Sequence, residues 1–186
     1  HAVQVGGVIV DSGNFDWEKG GKYPELTTPD DSYHGVVYTR DFGKAAYITK
    51  ARVQMMRDLG AIMSPENAFL TNLGMETLAL RMERHCENAS KVAKFLENHP
   101  KVEWVKHASL ENNKYHDLAM KYMPNGQGGM MSFGVKGGSE KAAQFMEALD
   151  MIAIVTHVAD ARSCVLHPAS TTHRQLSKAD LDAIGI

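Results

Sequence analysis

The hydrophobic pattern of the first half of the chain predicts two long helical stretches. Apolar residues recur at helical spacing over 44–59, and Gly60 follows as a stop signal. A second apolar stripe starts after Ser64-Pro65, a capping hydroxyl followed by a proline suited to a first helical position, and continues to Pro100. Because Gly74 lies inside this stripe, we expect a kink or a break into two helices there.

The second half alternates short strands with helices. The pattern predicts strands at 102–105, 130–135, 152–155 and 164–166, and helices near 115–123, at 139–149 and after Ser177. Near the start of the chain, the β-branched run at 5–10 predicts a further strand. Helices packed on one face of a small sheet, in an α/β or α+β arrangement, are the natural fold class.

A polar stretch at 11–38 connects the first predicted strand to the first helix. It carries four glycines, two prolines and five aromatic residues. Connections of this length inside a compact domain are uncommon, and they are usually functional or packed on a neighbour. A binding loop and an excursion pinned to its own domain by aromatic side chains are both open at this point.

Charge and composition exclude several classes of protein. The 186 residues include 20 Lys and Arg against 22 Asp and Glu, which gives a net charge of −2. This charge gives no electrostatic support to a nucleic-acid binder or a polybasic membrane binder. No apolar run approaches the roughly 20 residues that span a bilayer. Cys86 and Cys164 lack the spacing of a disulfide framework or a zinc site, so we expect a reducing, cytoplasmic setting.

Short motifs for common chemistries are weak in this sequence. The glycines of 126–129 lead into a strand without the Gly-Lys-Ser/Thr ending of a phosphate loop, so we interpret them as a tight turn. His157, His167 and His173, with Asp160 nearby, match no metal-ligand spacing, and local hydrogen bonding is the better interpretation. We therefore predict no metal site. A hydrolase elbow, G-x-S-x-G, is also absent from the sequence.

The segment 160–175 is dense in hydroxyl and imidazole groups. Its neutral donors, converging with Arg162 and Arg174, would suit a small anionic substrate such as an amino acid. A polar loop whose hydroxyls bond its own backbone is the somewhat favoured alternative.

One part of that segment, HPASTTH at 167–173, resembles the C-terminal domain of the O-acetylhomoserine sulfhydrylases (aminocarboxypropyltransferases), pyridoxal-phosphate-dependent enzymes of the Cys/Met-metabolism family. The likeness covers essentially the whole chain. Residues 6–17 resemble the stretch after the cofactor-binding lysine. Residues 32–35 and 45–48 resemble an insertion that cystathionine lyases lack. Residues 76–85 and 132–138 resemble the helix and the strand that follow it.

The resemblance implies a fold-type I transferase. Residues 1–42 would end its large cofactor domain, 43–64 would form a linking helix, and 65–186 would form the small C-terminal domain, with helices on one face of a mostly antiparallel sheet, truncated at its end. It implies pyridoxal phosphate as an electron sink on a lysine. The reaction implied is replacement of the acetate of O-acetylhomoserine by sulfide or a thiol, for homocysteine and methionine biosynthesis, in a homodimer or homotetramer.

The departures from the family pattern concern the catalytic groups. The cofactor lysine is expected just upstream of His1, and neither Lys19 nor Lys22 has its Ser/Thr-x-Lys context. The carboxylate-binding arginine is expected beyond Ile186, and neither arginine of the polar segment matches it. We therefore expect an inactive fragment with no catalytic residue and with unassigned cofactor contacts.

His157 is the one candidate substrate-binding residue, because it aligns with a serine that touches the substrate carboxylate in cystathionine lyases. A loop histidine in a neutral hydrogen bond is the equal alternative. For the whole chain, a non-catalytic remnant or interaction module stays open, as does a cystathionine synthase or lyase. The insertion at 32–38 argues against the latter.

Overall fold

The computed structural model describes residues 3–158 and 160–186, and the chain divides into two compact units. Residues 4–71 form the first unit, and the second is formed mainly by residues 72–186. The predicted helix at 44–59 shares a unit with the residues before it. The predicted boundaries at 42 and 64 concern the domains of a whole enzyme, so they stay a prediction.

The first unit is built from short helices. They are α1 (Pro24–Thr27), α2 (Tyr38–Phe42), α3 (Ala46–Lys50), α4 (Arg57–Leu59) and the start of α5 (Pro65–Met75), with 3₁₀ turns at Asp31–Tyr33 and Gly43–Ala45. A π-helical stretch, Ala51–Met56, joins α3 to α4, so the predicted helix is confirmed with a π segment inside it. It ends at Gly60, whose φ of +67° suits a residue without a Cβ. The Ser64 hydroxyl caps α5 by accepting from the Asn67 amide at 3.2 Å.

The predicted strand at 5–10 is wrong. Its backbone is irregular, and Val5 and Val8 are 95% and 86% exposed. A β-branched run forms a buried strand only where neighbouring strands pair with both its edges and other elements cover its faces. The described residues supply neither to this segment.

Aromatic side chains attach the stretch at 11–38 to its own unit. Tyr38 is completely buried with Leu26 and Ala46. The ring of Trp17 stacks on that of Tyr47 in α3, with centroids 5.2 Å apart and planes 9° from parallel. The structure therefore favours the pinned excursion over a free binding loop.

A polar network ties the same stretch to the π segment. Asp30 accepts hydrogen bonds from the Ser32 hydroxyl (2.6 Å), the Ser32 amide (3.0 Å) and Lys50 Nζ (2.9 Å). Gln54 accepts from the Tyr38 hydroxyl (2.9 Å) and Lys50 Nζ (2.6 Å) and donates to the Ser32 hydroxyl (2.7 Å). The hydrogen bonds from Ser32 and Lys50 hold the pKa of Asp30 far below its usual range.

The second unit combines helices with two small sheets. Its elements are α6 (Leu78–Glu97), β1 (Val102–Lys106), α7 (His116–Tyr122), β2 (Ser132–Val135), α8 (Gly138–Glu147), β3 (Ala153–Ile154), β4 (Cys164–Val165), a 3₁₀ turn at Pro168–Ser170 and α9 (Lys178–Ile184). Among the described helices, none has the length and apolar composition to cross a bilayer.

The sheet arrangement corrects part of the predicted fold class. The mixed α and β content is confirmed, but β1 and β2 form one antiparallel pair while β3 and β4 form a separate parallel pair. Parallel neighbours require a crossover connection rather than a tight hairpin, and here residues 155–163 make that connection. The resemblance implied a mostly antiparallel sheet, and the parallel pair departs from it; the strand pattern alone carries no pairing information.

Two local predictions in the second unit are confirmed. The long helical stripe breaks between α5 and α6, two residues after Gly74, whose carbonyl accepts a hydrogen bond from the Arg81 guanidinium at 2.6 Å. The helix predicted after Ser177 forms as α9, and the Ser177 hydroxyl caps it by accepting from the Asp180 amide at 3.2 Å.

The glycine loop before β2 turns tightly against α6. Gly126 has a φ of +153°, and a Cβ placed on it would lie 2.6 Å from the Cys86 sulfur. The interpretation of this loop as a turn is therefore confirmed, and close packing on Cys86 is what requires a glycine there.

We expect Gly126→Ala to lower the free energy of unfolding by about 2 kcal/mol, because the added methyl group would overlap the Cys86 side chain. Gly128→Ala is the matched control in the same loop: its φ of +89° strains an alanine, but the space around it is open. That control should cost only about 1 kcal/mol. Urea denaturation measures both, and equal losses would contradict the packing argument.

Asp30→Asn should flatten the acid side of the stability profile. The folded-state pKa of Asp30 lies below its ordinary value of 3.8, so its stabilisation is present above that value and is lost as the pH falls toward the folded-state pKa. Denaturation midpoints over an acid pH series test this. Asp31→Asn is the control, since Asp31 makes no ion pair with a described residue. An unchanged acid profile in Asp30→Asn would contradict the network's role.

Candidate functional site

The crossover between β3 and β4 bounds a small cavity in the second unit. Its volume is about 140 Å³, and it opens to solvent. The side chains and backbone that line it belong to the two strands and their connection: Ala153, Val155, His157, Asp160, Arg162, Ser163 and Cys164. The connection thus brings an imidazole, a carboxylate, a guanidinium and a thiol to one opening.

Asp160 is the polar centre of this cavity. Its Oδ1 accepts from the Arg162 amide at 3.1 Å, closing a turn of the kind aspartate side chains favour. Its Oδ2 accepts from the Arg162 guanidinium at 3.0 Å and lies 3.6 Å from His157 Nε2. These bonds from Arg162, with a smaller contribution from His157, lower the pKa of Asp160 from 3.8 to about 2.

The Cys164 thiol fixes the backbone on the other side of the cavity. Its sulfur donates to the His157 carbonyl at 3.4 Å. The hydrogen-bond partner of Cys164 is thus a carbonyl and not the imidazole of His167, so the arrangement provides no thiol–imidazole pair. Both cysteines are free thiols.

The remaining polar groups of 160–175 bond locally. The Thr171 hydroxyl donates to the His167 carbonyl at 2.7 Å, and the Ser170 hydroxyl lies 2.9 Å from His167 Nδ1. Arg174 does not line the cavity. The structure therefore favours the self-bonded loop over a convergence of both arginines. Within the described residues, no group of three or more His, Cys, Asp and Glu side chains is placed to hold a metal.

The pairing of Asp160 with Arg162 is the feature that sequence reasoning missed. From the sequence, Asp160 was considered as a metal ligand and rejected, and Arg162 was a possible anion contact. In the structure each engages the other, and His157 is left as the polar ring at the opening. The Asp-x-Arg spacing was the available signal, since an aspartate side chain commonly accepts from the amide two residues later, which brings the two side chains close together.

Comparison with known proteins decides the family. The sequence model of the Cys/Met metabolism PLP-dependent enzymes matches residues 1–186. The chain belongs to this family. Its relatives include the homocysteine synthase of Schizosaccharomyces pombe, 46% identical, and the O-acetyl-L-homoserine sulfhydrylase of Leptospira meyeri, 45% identical. Both alignments cover all of this chain, and the resemblance found in the sequence is confirmed.

Solved structures agree with the family assignment. An O-acetylhomoserine (thiol)-lyase from Campylobacter jejuni, which contains a pyridoxyl-lysine monophosphate, matches 91% of this chain with a TM-score of 0.79 and 38% identity. An O-acetylhomoserine sulfhydrylase from Wolinella succinogenes matches 75% with a TM-score of 0.67 and 34% identity. The chain spans 44% of the two curated relatives and about 40% of these solved chains.

The lysines of the chain do not fit covalent attachment of this family's cofactor. Of the lysines described, Lys50 is partly buried and the others are exposed. Lys50 is a charged donor to Asp30, whereas a Schiff base forms at an unprotonated amine. Lys106 lies over the Trp104 ring, 4.8 Å from its centroid. We therefore derive no catalytic step through pyridoxal phosphate from the described residues.

Arg162→Ala should raise the pKa of Asp160 from about 2 toward its ordinary 3.8, because it removes the guanidinium hydrogen bond, the largest cause of the lowering, while the amide hydrogen bond is kept. Carboxyl ¹³C NMR over an acid pH series measures it. Lys178→Ala, which removes the partner of Asp182 in α9, is the control and should leave Asp160 unchanged. An unaltered titration of Asp160 in Arg162→Ala would show that the two side chains do not pair in solution.

Proposed function

We propose that this chain is the C-terminal part of an enzyme that replaces the acetate of O-acetyl-L-homoserine with sulfide or a thiol, in homocysteine and methionine biosynthesis. The observation that carries the proposal is the 45% identity to the Leptospira meyeri sulfhydrylase across the whole chain. The two curated relatives and both solved neighbours bear homocysteine-synthase or O-acetylhomoserine names. Those names favour this activity over a cystathionine synthase or lyase.

The cofactor of the whole enzyme is pyridoxal phosphate in this proposal. Membership of a PLP-dependent family supports it, as does the adduct in the Campylobacter jejuni structure. The attachment lysine belongs outside this chain, since the ion-paired Lys50 and the exposed lysines do not suit the task. The chain alone is then inactive.

His157 contacts the α-carboxylate of the amino-acid substrate in this proposal. Its ring lines the cavity, and its nearest charged neighbour is Asp160 at 3.6 Å, longer than a hydrogen bond. Arg162 is a weaker candidate, because its guanidinium is already engaged by Asp160. A protonated imidazole supplies the charge-assisted donor that a carboxylate requires.

Self-association belongs to the same proposal. Val8, Val10 and Phe69 are 86%, 86% and 64% exposed, and large apolar side chains of this kind are usually covered in an assembly. The net charge of −2 gives no support to a nucleic-acid partner.

The proposal predicts that pyridoxal phosphate followed by borohydride leaves this chain without stoichiometric label on any one lysine, and that the chain shows no turnover. A chimera in which it replaces the matching segment of the Leptospira meyeri sulfhydrylase should be labelled once per chain. It should also form homocysteine from O-acetyl-L-homoserine and sulfide. Mass spectrometry locates the label, and a thiol assay follows turnover.

Two results would count against this function. Single-site labelling of the isolated chain together with turnover would refute its inactivity. A chimera that takes up the cofactor yet leaves O-acetyl-L-homoserine unreacted would refute the assigned reaction, and the unmodified Leptospira meyeri enzyme is the positive control for both measurements.

A further inference from the structure

The carboxylate of Asp160 divides its contacts between the backbone and two side chains. Oδ1 accepts only from the Arg162 amide among the described residues, whereas Oδ2 faces both the Arg162 guanidinium at 3.0 Å and His157 Nε2 at 3.6 Å. The Asp160 side chain is 18% exposed and that of Arg162 is 86% exposed. The carboxylate is thus the enclosed member of the group, and it lies between the cation and the imidazole.

The backbone of His157 is held by one hydrogen bond, and its ring lies beside the Asp160 carboxylate. The backbone carbonyl accepts from the Cys164 thiol, and Nε2 of the ring faces Asp160. The other ring nitrogen, Nδ1, makes no hydrogen bond with any described residue, although the residue lines the cavity. Nε2 therefore lies beside a negative charge at 3.6 Å, beyond hydrogen-bond distance, and Nδ1 is available to a ligand.

We infer that Asp160 is a positioning residue for His157: its negative charge beside Nε2 favours the ring orientation that presents Nδ1 to the α-carboxylate of the amino-acid substrate. This inference rests on the proposed function, because the ligand is that enzyme's substrate. The Arg162 amide in turn holds the Asp160 carboxylate in place, and the Arg162 guanidinium favours its ionised form. In the neutral ring the proton lies on Nε2, and binding of a carboxylate at Nδ1 recruits a second proton from solvent.

The Asp160→Asn variant tests the role of the negative charge while it keeps the turn of the loop. The amide oxygen can still accept from the Arg162 amide, so the turn is retained, whereas the negative charge facing the imidazole is lost. Asp182→Asn makes the same chemical change on α9, where the carboxylate pairs with Lys178. It is the matched control.

The first measurement is the ¹⁵N spectrum of the His157 imidazole in this chain, at a pH where the ring is neutral. We expect the Nε2–H tautomer in the unmodified chain and in Asp182→Asn, and a mixture of tautomers in Asp160→Asn. Arg162→Ala keeps the carboxylate beside the ring and should keep the Nε2–H tautomer. An Nδ1–H tautomer in the unmodified chain overturns the inference without recourse to any variant, and so does an unchanged tautomer in Asp160→Asn.

The second measurement is made on the full-length enzyme with O-acetyl-L-homoserine. Asp160→Asn should raise KM about fivefold with little change in kcat, as expected for the loss of an orienting contact in a solvated site. His157→Gln should raise KM about tenfold, since it removes the charged donor itself. Asp182→Asn should alter neither constant.

The combined outcomes separate the two ideas. If His157→Gln raises KM and Asp160→Asn does not, positioning by Asp160 is refuted while the substrate contact survives. If neither variant alters KM, the assignment of His157 to the substrate is wrong, and the inference falls with it. A drop in kcat at constant KM for Asp160→Asn would also overturn it, because a binding contact would then not be what Asp160 orients.

Discussion

The ion pair between Asp30 and Lys50 is the contact on which the first unit depends. Both side chains are largely enclosed, with 14% and 19% of their surfaces exposed, and enclosed charges are tolerated only when paired and hydrogen-bonded. Gln54 completes the pairing, because it accepts from Lys50 and from the buried Tyr38 hydroxyl at the same oxygen. The aromatic packing around Tyr38 is therefore inseparable from the polar network, and Gln54 occupies the π-helical stretch of its helix.

The sequence predicted helices well because their signals are local. Ser64-Pro65 marks the start of α5, and Gly60 the end of α4, through groups only a few residues away. The strand predicted at 5–10 failed for the opposite reason. A β-branched run specifies a strand only if a partner is present, and the partner is defined by distant residues. The parallel pairing of β3 with β4 escaped prediction for the same cause.

The candidate site was only partly accessible from the sequence. The family resemblance singled out His157, and the structure places that residue at a cavity, while its role there stays a prediction. In the sequence, Arg162 and Arg174 were equal candidates for contact with an anion. Only Arg162 lines the cavity, and its guanidinium is paired with Asp160. Whether two side chains within a turn pair depends on the backbone angles, and residue spacing does not determine those angles.

The charge balance of the cavity limits what it can contribute to binding. The negative Asp160 and the positive Arg162 offset each other, so the net charge facing a ligand is set by the His157 imidazole. The cavity opens to solvent, where an ion pair contributes on the order of 1 kcal/mol or less. Such a site can orient a carboxylate but cannot supply most of its binding energy. The resemblance assigns the main carboxylate contact to an arginine that matches neither Arg162 nor Arg174. A secondary, orienting role for His157 agrees with that assignment.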